Sequence, residues 1–110
     1  MRGSNASGGQ LDLVLLSALA SLGEAHGYAL ISAVRDRTAG GLDVPEGSVY
    51  PALQRLERDG LLDGRWDTGG TRRRRLYRLS TRGRAELVTK QREWRGFASS
   101  MEALMRWAPA

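Results

Sequence analysis

A chain of 110 residues is long enough for one domain with one modest core. Its 41% hydrophobic content is globular rather than disordered, the absence of cysteine excludes disulfides and thiolate metal sites, and no apolar run is long enough to cross a bilayer. The net charge of +5 favours an acidic partner and is concentrated locally: Arg65 to Arg84 holds eight arginines against one acid, Asp67, for a segment charge of +7.

Residues 1–9, MRGSNASGG, are small and polar and lack the apolar segment of a signal peptide. They read as a disordered tail outside the fold, on an intracellular protein. Leu11 to Leu22 carries Leu11, Val14, Leu15, Ala18, Leu19 and Leu22, which predicts a largely buried helix ended by Gly23. Gly27 to Arg37 predicts a second helix, with Leu30, Ile31 and Val34 inward and the Gly40-Gly41 pair beyond it. At its start, His26 is assigned a structural role, Gly27 a tight helix start, and Tyr28 a place on the packed face. In the next segment Val49, Leu53 and Leu56 share one helical stripe. Gly47, Pro51, Gln54 and Arg58 lie opposite, with Tyr50 and Arg55 on the flanks. Pro51 would press on the carbonyl of Gly47 at the helix start. The expectation is therefore a short helix from near Glu46 or Ser48, with an irregular first turn, stopped at Gly60.

Leu61 to Trp66 and Arg73 to Leu79 predict two strands joined by a turn, Asp67 to Thr71, built on Gly69-Gly70. Ser80 can cap a final helix from Thr81 to about Arg106, roughly 39 Å long at 1.5 Å per residue. Three helices, a hairpin and a long helix describe a mainly α fold with a β-hairpin wing. The winged helix-turn-helix would span residues 10–80 and the C-terminal helix residues 81–110.

In such a fold the third helix enters a major groove and the wing lies along neighbouring backbone. The candidate reading face is Ser48, Tyr50, Pro51, Gln54, Arg55 and Arg58. Gln54 suits adenine, and Arg55 or Arg58 suits guanine or phosphate. The candidate wing contacts are Gly69, Gly70, Arg72, Arg73 and Arg74, whose forked donors match phosphate oxygens and give salt-sensitive, sequence-blind affinity. The competing reading is a solvated strand edge, protected by charge. Four consecutive arginines beside a glycine tip exceed what edge protection needs. A lone histidine makes a poor metal site, and no nucleophile–base–orienter set or phosphate-cradling loop is present. The chain reads as a non-enzyme with no metal and no cofactor.

The segments HGYAL (26–30), GSVYPALQRLERDGLL (47–62) and GGTRRRRLYRLSTRG (69–83) resemble the PadR family of bacterial transcriptional regulators, in order and spacing across most of 11–105. Two positions depart from the family pattern: Pro45 stands where Ser is frequent, and Leu76 where a second aromatic is usual. The resemblance implies a homodimer paired through the C-terminal helix, in the short subfamily that has one such helix. Independently, Leu87, Gln91, Trp94, Ala98, Met101 and Met105 alternate four and three apart, a helix-pairing seam that Phe97 and Leu104 widen. Trp94 has two readings, an interface aromatic or the wall of an apolar slot for a planar effector, as in some short PadR-like repressors. Trp66 is assigned to packing.

The expectation is a cytoplasmic, dimeric, sequence-specific DNA-binding regulator, a ligand-responsive repressor on an inverted repeat of double-stranded DNA. The alternatives are a winged-helix protein-interaction module and a non-specific architectural DNA binder.

Overall fold

The structure, a computed structural model, describes residues 8–109. Its elements in chain order are α1 (Gly8–Leu22), β1 (Glu24–Ala25), α2 (Gly27–Arg37), α3 (Glu46–Arg58), β2 (Leu62–Asp67), β3 (Arg74–Leu79) and α4 (Thr81–Trp107). The expected mainly α winged-helix arrangement is present. Residues 1–7 of the expected tail lie outside the described residues, whereas Gly8 and Gly9 begin α1.

The core forms where the apolar stripes converge. Leu15, Leu16 and Leu19 of α1 meet Leu30 of α2 and Val49, Leu53 and Leu56 of α3, all fully buried. Leu62, Tyr77 and Leu79 close it from the sheet. Leu22, expected inside, is exposed at the end of α1.

The sheet has three antiparallel strands in the order β1-β3-β2. β1 was not legible in the sequence because two residues cannot display a period of two. It pairs Glu24 with Arg78 and Ala25 with Tyr77, covering the far edge of β3. β2 sits one residue later than predicted and β3 starts one residue later, so the tip carries Arg72 and Arg73, while Arg74 opens β3.

Two junctions fix α3. At its start, Pro45 offers no side-chain cap, and its carbonyl accepts from the amides of both Ser48 (2.9 Å) and Val49 (3.0 Å). The Ser48 bond tightens the first turn, and α3 runs unbroken through Pro51. At the other end, the Ser80 hydroxyl donates to the Gly60 carbonyl (2.7 Å) and accepts from the Gly83 amide (3.0 Å). One serine therefore caps α4 and ties it to the corner after α3.

α4 is long for so small a body. The radius of gyration is 15.6 Å, against about 13 Å for a compact chain of this length. After Leu87 no residue of α4 is buried. Leu87, expected in a pairing seam, is instead only 6% exposed and packs in its own chain's core.

Candidate nucleic-acid interface

α3 presents two chemically distinct faces. Val49, Ala52, Leu53 and Leu56 are buried, while Ser48, Pro51, Gln54 and Arg58 are exposed. Gln54 and Arg58 meet no hydrogen-bonding or charged partner among the described residues, so their donors face solvent.

The two flanking residues behave differently. Tyr50 lays its ring against the start of α2, where a Cβ on Gly27 would come within 2.5 Å of it. Gly27 is required for this close approach, which leaves Tyr50 partly exposed and held in place. Tyr28, assigned to packing, is 62% exposed. Arg55 reaches back to α1 and makes a two-pronged pair with Asp12, Nη2–Oδ1 at 2.5 Å and Nη1–Oδ2 at 3.2 Å. Donating to the Asp12 carboxylate raises the Arg55 pKa above its usual value. The guanidinium assigned to base reading thus anchors α3 to α1. Asp12 is the only charged residue in α1, and a lone carboxylate on an apolar helix was the available signal.

The consecutive arginines also divide into roles. Arg75 points to α3 and forms a two-pronged pair with Glu57, whose hydrogen bond raises the Arg75 pKa. Arg73 stands over the Trp66 ring at 4.3 Å. Arg72 and Arg74 are exposed and have no partner among the described residues. Trp66 is not a packing residue: it is half exposed on the wing. At the wing base, His26 is the residue before α2. Its Nε2 lies 3.4 Å from Asp67 and its Nδ1 3.4 Å from the Arg75 carbonyl. Asp67 also accepts from the amide of Gly69 at the tip (3.1 Å). Arg65 pairs with Glu24 of β1, and this hydrogen bond holds the Glu24 carboxyl below its usual pKa.

A second surface lies elsewhere. A groove of about 900 Å³ runs between α1 and α2, walled by Leu13, Val14, Ala18, Leu22, Leu42 and, from α4, Trp94. Trp94 also packs against Phe97, ring centroids 6.0 Å apart. Trp94, Phe97, Leu104 and Met105 are all exposed along α4, with Gln91, Ala98 and Met101 half-buried.

The model of the transcriptional regulator PadR-like family matches residues 15–89, from the middle of α1 into α4. The chain belongs to this family. PadR-like proteins are transcriptional regulators, which agrees with the reading as a non-enzyme. Transcriptional regulator Rv3488 of Mycobacterium tuberculosis is 39% identical over 69 residues, 63% of this chain and 62% of that protein. A crystal structure of a PadR family regulator from Eggerthella lenta superposes with a TM-score of 0.79 at 31% identity, covering 91% of this chain and 85% of that one. Bacillus subtilis PadR, solved in complex with operator DNA, superposes with a TM-score of 0.65 at 26% identity, covering 72% of this chain and 45% of that one. This PadR-like chain thus spans less than two thirds of the M. tuberculosis regulator and less than half of the B. subtilis one.

Proposed function

We propose that the chain is a homodimeric, sequence-specific DNA-binding repressor of the bacterial cytoplasm that responds to a small planar effector. One observation carries the DNA reading. The side chains of Gln54 and Arg58 on α3, and of Arg72 and Arg74 on the wing, have no partner among the described residues, while Arg55 and Arg75 fix the two elements that present them. The B. subtilis relative on operator DNA supports the same partner. In this reading Ser48, Tyr50, Pro51, Gln54 and Arg58 face the major groove. The Gly69-Gly70 tip brings Arg72, Arg73 and Arg74 against backbone phosphates. Arg55 acts from behind, as the clamp on α3.

The dimer reading is supported by two apolar surfaces on one chain, the exposed stripe of α4 and the groove beside α1. A two-fold pair lets each copy cover the other's stripe. A groove of about 900 Å³ walled by Trp94 is within the size range of small-molecule sites, which supports the effector reading. An effector there would alter the separation of the two reading heads.

The DNA reading is tested by salt titration. Each phosphate contact contributes about 0.9 to the dependence of log affinity on log salt. Arg72→Ala with Arg74→Ala is expected to lower that slope by about two units on any duplex sequence. Weak binding with an unchanged slope would favour a protein-interaction module instead.

A further inference from the structure

Trp66 is a large aromatic that the core does not use. It stands on β2, 50% exposed, opposite Arg75 in the strand register. The Arg75 guanidinium lies 5.0 Å from the indole centroid and the Arg73 guanidinium 4.3 Å. Arg75 is itself fixed to Glu57 of α3 by two hydrogen bonds, so contacts run from the reading helix through Glu57, Arg75 and Trp66 to Arg73 at the tip. The chain of contacts fits tightly at Gly64, where a Cβ would come within 2.6 Å of the Glu57 carboxylate and 2.9 Å of Arg75 Nε.

We propose that Trp66 is a positioning residue that holds Arg73 in place for contact with a DNA phosphate, an inference that rests on the DNA reading above. A guanidinium over an aromatic face keeps its full charge and its in-plane donors, which remain available to phosphate oxygens. Arg72 and Arg74 have no partner among the described residues and must give up rotamer freedom on binding. Arg73 has less to lose because the indole already orders it. The indole adds no charge, so its contribution differs in kind from that of an arginine: it strengthens binding without changing the number of counterions released.

The test measures affinity for a mixed-sequence double-stranded oligonucleotide across a salt series, for the full chain and its variants. Trp66→Leu keeps apolar bulk without the aromatic face, and thermal midpoints confirm that each variant is folded. Trp66→Leu and Trp66→Ala are expected to weaken binding about threefold to fivefold, with the salt slope unchanged. Trp66→Phe is expected to restore most of the affinity. Arg73→Ala is expected to lower the slope by about one, and Trp66→Leu added to Arg73→Ala to cost nothing further. Wild-type affinity in Trp66→Leu, or an equal loss in the Arg73→Ala background, would overturn the positioning role while leaving the DNA reading intact. A wild-type chain with no salt-dependent DNA binding would overturn both.

Discussion

A chain carrying Phe97→Glu and Leu104→Glu is expected to fold, to remain monomeric, and to lose its hold on an inverted repeat. Both side chains are exposed on α4, beyond the last buried residue of the helix, so the substitutions remove nothing from the chain's own core. In a two-fold dimer each change is felt twice. Burying one such side chain is worth about 1.5–3 kcal/mol, and an unpaired carboxylate in its place adds a desolvation cost. Two positions in two copies therefore weaken self-association by at least about 6 kcal/mol, on the order of ten-thousandfold. A monomer can grip only one half-site. Losing the second grip is expected to lower apparent affinity for the repeat by about two to four orders of magnitude. Sedimentation at micromolar concentration reads the first effect and titration of a labelled duplex the second. A variant that remains dimeric would place the pairing surface elsewhere than on this stripe.

Leu53→Ala is expected to be among the most destabilising single changes in α3. Leu53 is 0% exposed and lies at the centre of the inner face of α3, one position before Gln54. Truncating a fully buried leucine costs about 2.7–5 kcal/mol, against a total stability of about 5–15 kcal/mol for a domain of this kind. Each kcal/mol lowers the melting midpoint by roughly 4–8 °C in a domain of about this size, so a fall of at least about 10 °C is expected. Calorimetry reads it directly. Because the outward face is untouched, DNA affinity measured well below the new midpoint is expected to stay near that of the unmodified chain. A midpoint shift of only a degree or two would mean that α3 is not held by this packing.

The overall fold was readable from the sequence because its signals are periodic and long. The leucines of α1, the Val49–Leu53–Leu56 stripe and the alternation around Tyr77 each repeat often enough to fix an element and its inner face. What escaped the sequence is what depends on pairs brought together only by folding. Asp12 and Arg55 are far apart in the chain, and nothing local shows that Arg55 would turn back toward α1 rather than outward. Trp66 looks like packing in a strand pattern, yet the hairpin register sets Arg75 opposite it and Arg73, the last residue of the six-residue tip 68–73, over its ring. The arginine run shows the limit most clearly. Four identical neighbours hold at least three environments: a buttress at Arg75, a stacked group at Arg73, and exposed cations at Arg72 and Arg74 that meet no partner among the described residues. Leu87 fitted the heptad-like spacing of α4 and is nonetheless a core residue, because the first turns of α4 pack on α1 before the helix leaves the body.

The central claim is a two-fold pair of reading heads that recognise DNA sequence. It is tested most directly by incubating the purified chain with a random duplex pool at near-physiological salt and sequencing what it retains. The expected result is an enriched inverted repeat whose half-site centres lie about one helical turn apart. Tight retention with no enriched sequence would contradict the claim, because it would leave the wing's charge as the whole of the interaction and α3 without a reading role.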